Sequence, residues 1–163
     1  MSLVAIDGPA GAGKTTLAQK FYREFSTHKQ VTLIHMDELY DGWNNALSQR
    51  LTRQLEIIIE AHVKREAFHL EIFNWVIMKF DELRLYEPAD ILVLEGVGAA
   101  QEIVRRAGAE TYWLDVEPSI GLERVLRRDG FHIEGEMRKW QIEQVKYFES
   151  DLTRANAQHT ITS

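Results

Sequence analysis

The sequence predicts an α/β fold with three layers, in which helices cover both faces of a sheet of mostly five parallel strands. Short apolar runs typical of buried strands alternate along the chain with stretches of helical periodicity. Crossovers between parallel strands are right-handed, which places the connecting helices on the two faces of the sheet. The chain has 163 residues and is 45% hydrophobic, so residues 1–163 are predicted to form one domain with a packed core.

The first predicted unit is a strand, a glycine-rich loop and a helix. Residues 3–6 form a short apolar run that is typical of a buried parallel strand, and turn residues follow at 8–13. Beyond the loop, Leu17, Phe21 and Phe25 recur every four residues, as on the buried face of a helix.

The second predicted unit contains a long insertion. Residues 31–36 are predicted to form a buried strand that ends in a polar turn. Residues 44–87 are then predicted to be a helical insertion, because apolar residues within 47–63 keep near-helical spacing and a second helical stretch is expected within 68–86. Pro88 would end that stretch, since proline does not continue a helix.

The rest of the chain supplies three more strands and the helices between them. The strands are predicted at residues 91–94, 111–116 and 159–162, and the helices at 101–107, from Pro118, and after a loop bracketed by Gly130 and Gly135. Six residues of the last helix are predicted to share a face: Met137, Trp140, Gln144, Val145, Phe148 and Leu152.

Composition excludes several functional classes. The net charge is −6, with 25 acidic and 19 basic residues, so a broad nucleic-acid surface is not expected. No apolar run approaches the roughly 20 residues that cross a bilayer, and the start of the chain has no positively charged leader, so we expect a cytoplasmic protein without a membrane partner. The absence of cysteine excludes disulfides and thiolate chemistry.

Residues 8–15 match the Walker A pattern G-x-x-x-x-G-K-[ST]. Glycine lets backbone N–H groups turn inward around phosphate oxygens, and the following helix presents its positive end to them. The Lys14 ammonium would contact the β- and γ-phosphates, and the Thr15 hydroxyl would ligate Mg²⁺, with Thr16 as an alternative. A chance match in a glycine turn is disfavoured by the strand before the loop and the helix after it. The predicted nucleotide-binding residues are Gly8, Ala10, Gly11, Ala12, Gly13, Lys14, Thr15 and Thr16.

Carboxylates follow three of the later predicted strands. The carboxyl ends of parallel strands form the binding crevice, which places Asp37, Glu95 and Asp115 at the edge that holds the phosphate loop. Asp37 could orient an attacking hydroxyl or could cap its turn. Glu95 could reach the water shell of the metal or could serve a simple turn. Asp115 is the weaker candidate, because the polar end of any strand often carries Asp.

These motifs resemble the uridine kinase-like branch of the P-loop nucleoside kinases. Residues 6–16 are similar to that family's first strand and phosphate loop, and Asp37-Glu38-Leu39-Tyr40 to its Asp-x-Phe-Tyr motif. Glu95-Gly96 resembles the family's Glu-Gly at a strand end, and Arg127-Arg128-Asp129 its paired-arginine lid. The resemblance implies use of ATP or GTP with Mg²⁺, and it implies that Asp37 accepts or orients the proton of the attacking hydroxyl and touches the metal through water.

Arginines near the end of the helix that starts at Pro118 form the candidate lid, at about residues 124–135. Planar guanidinium groups suit the charge spread over a transferring phosphoryl group. Arg127 and Arg128 are ranked above Arg124 because they lie nearest the following loop. A solvated helix face is the competing interpretation for each of them.

The insertion holds the candidate acceptor site. Tyr40, Trp43 and Trp75 could stack on a base and Asn74 could bind its edge, whereas a place in the core is the alternative for the aromatic rings. By resemblance, Phe73-Asn74-Trp75 stands at the family's Tyr-Asp-aromatic run, with Asn in place of Asp. The His and Arg contacts that follow in the family have no clear match in this chain.

Together these features predict a kinase that transfers the γ-phosphate of ATP to a hydroxyl of a small molecule, with a nucleoside as the favoured acceptor. Two alternatives stay open. One is a nucleotide-hydrolysing regulatory module, although the chain has no Asn-Lys-x-Asp guanine-reading sequence. The other is a nucleoside monophosphate or sugar-acid kinase, for which Arg50, Arg53 and Arg65 could bind an anionic acceptor. The sequence decides neither the oligomeric state nor ATP against GTP.

Overall fold

The computed structural model of this protein describes residues 2–162, so Met1 and Ser163 of the predicted domain lie outside the described residues. In chain order its strands are β1 (Ser2–Asp7), β2 (Val31–His35), β3 (Phe68–Asn74), β4 (Lys79–Tyr86), β5 (Ile91–Glu95), β6 (Glu110–Asp115) and β7 (His159–Thr162). Five of them form one sheet in the order β2-β5-β1-β6-β7, and every neighbouring pair is parallel. The predicted five-stranded parallel sheet is confirmed, including its short last strand.

Helices cover both faces of this sheet. They are α1 (Lys14–Phe25), α2 (Gln49–Lys64), α3 (Glu102–Arg106), α4 (Pro118–Asp129) and α5 (Glu134–Asp151). Successive side chains of a strand point to opposite faces, and β1 contributes to a core on each side. Leu3 and Ala5 pack in the core that includes residues of α2, α3, α4 and α5, whereas Val4 and Ile6 pack in the core that includes α1. This is the predicted three-layer arrangement.

Local chemistry explains where α4 begins and ends. Pro118 occupies the first turn, where its fixed φ suits a helix and its missing N–H costs nothing. The Glu117 side chain accepts hydrogen bonds from the backbone N–H groups of Ser119 and Ile120, which caps the helix. Gly130 follows the last helical residue at φ 105°, a conformation that favours glycine.

The prediction of a second helix in the insertion is wrong, because residues 68–86 form an antiparallel β-hairpin instead. Side chains from Phe68 to Ile72 alternate between buried and exposed, which is the period of a strand. The register shifts between Ile72 and Phe73, so two neighbouring residues are both buried and the alternation is interrupted. That irregularity hides the period of two and makes the segment resemble a helix.

Three smaller differences concern the helices. The first helix of the insertion begins at Gln49, several residues after the predicted start of the insertion. The loop predicted between Gly130 and Gly135 is shorter, because a 3-10 turn at Phe131–Ile133 leads directly into α5 and Gly135 lies within that helix. Val145 of α5 is exposed rather than on the shared buried face, and Leu152, which directly follows α5, is exposed as well.

Within residues 2–162, no helix is both long enough and apolar enough to span a membrane.

Candidate active site at the phosphate loop

Two glycines hold the phosphate loop, residues 8–13, against neighbouring segments. Gly8 has φ 139° and Gly11 has φ 80°, both in the region that favours glycine. A Cβ atom on Gly8 would collide with the main-chain oxygen of Leu114 in β6, and one on Gly11 would collide with the main chain of Gly121 in α4. The glycines therefore fix the loop between the end of β6 and the first turns of α4.

Helix α1 begins where the phosphate loop ends. Gly13, at φ 91°, precedes the first helical residue, Lys14, and no side chain caps this terminus with a hydrogen bond. The first N–H groups of a helix have no partner inside it and carry its partial positive charge, so this terminus favours an anion.

The side chain of Lys14 lies over the loop. It is buried, and its Nζ donates a hydrogen bond to the Pro9 carbonyl oxygen at 2.8 Å. Burial lowers the pKa of Lys14, while the carboxylates of Asp7, Glu95 and Asp37 act in the opposite direction. The ammonium group therefore lies within the field of three carboxylates at this edge of the sheet.

Asp7 connects the phosphate loop to the segment after β5. Its fully buried carboxylate accepts hydrogen bonds from the backbone N–H groups of Gly8 at 2.7 Å, Gly98 at 3.1 Å and Ala100 at 2.8 Å. Burial raises the pKa of Asp7 to about 6, although these hydrogen bonds and Lys14 oppose the shift. Asp7 was assigned no role from the sequence, and its position directly before the first glycine of the motif is the signal that marks it.

Glu95 is held at the end of β5 by two side chains. The Thr15 hydroxyl donates to Glu95 Oε1 at 3.2 Å, and His35 Nδ1 makes a short contact with the same oxygen. That hydrogen bond raises the pKa of His35. Sequence analysis missed His35, because only the strand register reveals that it lies directly opposite Glu95.

Asp37 lies beside this pair, in a 3-10 turn at Met36–Glu38 that directly follows β2. Loss of solvent around its carboxylate raises the pKa of Asp37, and the charge of Glu95 raises it further, whereas His35 lowers it. Two neighbouring carboxylates repel each other, so the arrangement favours a cation near both of them.

The three lid arginines have different surroundings. Arg124 donates from Nη1 to the Gly11 carbonyl oxygen at 3.2 Å, so it contacts the phosphate loop directly. The Arg128 guanidinium is hydrogen-bonded to Asp129 and lies within the field of Asp37 and Glu95. The hydrogen bond to Asp129, and then these charges, raise the pKa of Arg128. Arg127 pairs with Glu123 one turn earlier, and its side chain is 73% exposed. Arg124, which was ranked lowest from the sequence, is thus hydrogen-bonded to the phosphate loop.

Gln144 of α5 also reaches the phosphate loop. Its buried side-chain oxygen accepts a hydrogen bond from the Ala10 N–H at 3.1 Å. The signal in the sequence is a polar residue among apolar ones on the predicted buried face of the last helix. Asp115, by contrast, forms an ion pair with Arg154.

The candidate acceptor residues are divided between the core and the hairpin. Tyr40 is buried, and its hydroxyl donates to the Val97 carbonyl oxygen at 2.7 Å. Both polar atoms of Asn74 serve the hairpin turn, since Oδ1 accepts from the Val76 N–H at 2.9 Å and Nδ2 donates to Asp81 at 2.8 Å. Trp43 and Trp75 are half-buried, and their rings pack edge to face 5.1 Å apart.

Two of the three arginines predicted to suit an anionic acceptor have local partners, and the third, Arg53, is exposed. Arg50 pairs with Glu71 at 2.8 Å and lies over the ring of Phe80, and Arg65 pairs with Asp90 at 3.2 Å. The backbone next to Asp90 pairs with the start of β1, so Arg65 lies at the opposite edge of the sheet from the phosphate loop.

Comparison with known proteins agrees with this geometry. The family described as AAA domain matches residues 4–146. The chain belongs to that family. A uridine kinase from Halalkalibacterium halodurans is 25% identical over 141 residues, which cover 78% of this chain and 66% of the relative. This chain therefore matches just under two thirds of that relative's length.

Two solved structures share the fold. One is described as a possible uridine kinase from Bacillus stearothermophilus, with a TM-score of 0.69 and 18% identity over 98% of this chain and 88% of the other. The second, provisionally named a fructose transport system kinase from Silicibacter sp. TM1040, has a TM-score of 0.76 and 13% identity over 99% of this chain and 89% of the other. These comparisons confirm the predicted resemblance to P-loop kinases, and the two structures bear on the fold alone.

Proposed function

We propose that this AAA domain protein is a kinase that transfers the γ-phosphoryl group of ATP to a hydroxyl of a small neutral acceptor, most simply a nucleoside. The observation that carries the proposal is the convergence of Lys14, Thr15, Asp37 and Glu95 at one edge of the sheet. Its relatives named uridine kinase support the same reaction class. Use of Mg²⁺ and a cytoplasmic location belong to this proposal.

The residues at the edge fit a magnesium ion. The Thr15 hydroxyl and the Glu95 carboxylate are hard oxygen donors 3.2 Å apart, and Asp37 adds a second carboxylate nearby. Magnesium in phosphoryl-transfer sites is held by one or two carboxylates together with substrate phosphates. When bound, the ion supplies charge neutralisation across the β- and γ-phosphates.

The chain's own residues supply positioning and charge. The glycine loop and the start of α1 would bind the phosphates through backbone N–H groups, with Lys14 beside them. The oxygen of the acceptor hydroxyl would attack the γ-phosphorus in line, while the bond from the γ-phosphorus to the oxygen of the β-phosphate breaks. Asp37 would accept the proton of that hydroxyl. Arg124 and Arg128 would stabilise the charge on the equatorial oxygens.

The ion pairs of the insertion favour a neutral acceptor. The residues that could have bound an anionic acceptor were Arg50, Arg53 and Arg65. Of these, Arg50 and Arg65 are paired with carboxylates, whereas Arg53 is exposed. Arg84 on the hairpin is likewise paired with Glu38 and Glu82. A phosphate or carboxylate bound at Arg50, Arg65 or Arg84 would have to break one of these pairs, which makes these three arginines poor sites for a monophosphate or sugar-acid substrate.

An acceptor panel tests the proposal. The protein is incubated with Mg-ATP and nucleosides, nucleoside monophosphates or hydroxy acids, and ADP release is followed. We expect release that depends on a neutral acceptor, with nucleosides the most active. Release that is equal in the absence of any acceptor would instead identify the nucleotide-hydrolysing regulatory module. Dependence on monophosphates or hydroxy acids alone would overturn the neutral-acceptor assignment.

A further inference from the structure

Trp75, in the turn of the β3–β4 hairpin, contacts the backbone of the proposed catalytic residue. Its indole Nε1–H donates a hydrogen bond to the main-chain oxygen of Asp37 at 2.9 Å. The two residues are 38 positions apart in the sequence, so this contact joins the insertion to the edge of the parallel sheet. A single directional hydrogen bond to a short turn limits how far that turn can rotate.

Neighbouring rings fix the direction of the Trp75 N–H. The Trp75 ring packs edge to face against Trp43 at 5.1 Å and against Phe73 at 5.0 Å. Phe73 in turn packs against Phe80 at 5.1 Å. Edge-to-face pairs have preferred geometries, so this cluster holds the indole in one orientation.

A second link joins the same hairpin to the same turn. Arg84 Nη1 of β4 donates to Glu38 Oε1 at 2.8 Å, one residue after Asp37. On the other side, buried Met36 packs so closely against Gly96 that a Cβ there would lie 2.6 Å from Met36 Cβ. The Asp37 turn is therefore held between the sheet edge and the hairpin.

We propose that Trp75 is a positioning residue, which through its indole N–H holds the Asp37 backbone in the orientation needed for phosphoryl transfer. This inference rests on the proposed function. It differs from the sequence-based prediction that Trp75 stacks on the acceptor base, because stacking requires only an aromatic ring. A misplacement of a catalytic group by about 1 Å can lower the rate on the order of 100-fold, so the loss of one hydrogen bond that fixes Asp37 is expected to lower the rate of phosphoryl transfer.

The substitution Trp75→Phe separates the two roles, because it keeps an aromatic ring and removes the N–H donor. Val76→Ala is the control in the same hairpin turn, because it shortens the neighbouring side chain, which is 91% exposed. We expect Trp75→Phe to lower kcat about 10-fold while the KM values for ATP and acceptor change little. Val76→Ala should keep kcat within about 2-fold of the wild type.

A second measurement follows the hydrogen bond directly. The indole N–H signals of Trp43 and Trp75 are assigned by their loss from the NMR spectra of Trp43→Phe and Trp75→Phe, and their exchange with deuterium is timed. Slower exchange at Trp75 than at Trp43 is expected. An unchanged kcat in Trp75→Phe, or a raised acceptor KM alone, would overturn the positioning role. If the wild type transfers phosphate to no acceptor, the proposed function is wrong. Equal exchange rates at Trp43 and Trp75 would show that the indole hydrogen bond is absent, and they would overturn this inference as well.

Discussion

At the scale of single residues, the two carboxylates of the site have different environments. Glu95 is buried and fixed by Thr15 and His35, which suits a constant position beside a metal ion. Asp37 exposes more of its surface than Glu95, but partial desolvation of its carboxylate and the charge of Glu95 raise its pKa, which suits a group that receives a proton from a mobile acceptor. The division of roles between them follows from this difference.

Asp37→Asn tests the role of the exposed carboxylate. The amide keeps the size of the side chain but is a poor proton acceptor, so we expect kcat to fall by about 100-fold or more while ATP affinity is retained. Kinetics and equilibrium nucleotide binding measure the two effects. Asp41→Asn is the control, since Asp41 is exposed and pairs with Asn45 outside the site. Near-normal turnover in Asp37→Asn would remove Asp37 from the catalytic role.

The raised pKa of Asp7 predicts that the stability of the protein depends on pH. Burial raises the pKa of its carboxyl from 3.8 to about 6, so the folded protein binds this proton more tightly than the unfolded chain does. Stability from this group is therefore present below about pH 4 and is lost as the pH rises through about 6, by on the order of 3 kcal/mol.

Urea unfolding of wild type and Asp7→Asn between pH 4 and 7 measures this dependence. The difference in unfolding free energy between the two proteins should change across that window, because only the wild type carries the carboxyl. Glu87→Gln, which removes an exposed carboxylate, should show no such change. A pH-independent difference for Asp7→Asn would contradict the raised pKa of Asp7.

At the scale of elements, the phosphate loop depends on its contact with α4. Gly11 at φ 80° lies against the main chain of Gly121, whereas Gly108 at φ 84° has nothing within 4 Å of the place a Cβ would take. The two glycines therefore share a positive φ and differ in the space around them.

Gly11→Ala and Gly108→Ala form a matched pair. Gly108→Ala should cost about 1 kcal/mol from backbone strain alone and leave ATP binding intact. Gly11→Ala adds a clash with main-chain atoms that cannot move aside as a side chain can, so we expect ATP binding to be lost. Calorimetric titration with ATP compares them, and equal affinities would show that the loop does not need this close approach.

The hydrogen bonds of Asn74 in the hairpin turn are expected to stabilise the protein. Asn74 Oδ1 holds the turn through the Val76 N–H, so Asn74→Ala should lower the unfolding free energy by about 1 kcal/mol, as measured with urea. Val76→Ala is the control, because that side chain is 91% exposed and should matter little. An unchanged stability with a raised acceptor KM would instead place Asn74 at the acceptor, as the sequence analysis predicted.

At the scale of the whole molecule, the sheet could be predicted because each of its strands is a short apolar run that ends in turn residues, and both are visible in the local sequence. The phosphate loop could be predicted because its chemistry lies in eight consecutive residues. The hairpin could not, since the register shift at Ile72 interrupts its alternation. His35 and Trp75 act through partners distant in sequence, and only the register and the docking of the hairpin reveal them.

The fate of a radiolabelled γ-phosphate shows whether the phosphate loop binds ATP for transfer to an acceptor. Labelled ATP is incubated with each acceptor of the panel, using wild type, Lys14→Ala and, as a control on the same helix, Lys20→Ala, whose side chain is exposed. We expect label in an acceptor product with wild type and Lys20→Ala and none with Lys14→Ala. Label found solely in inorganic phosphate, or an acceptor product formed equally by Lys14→Ala, would contradict it.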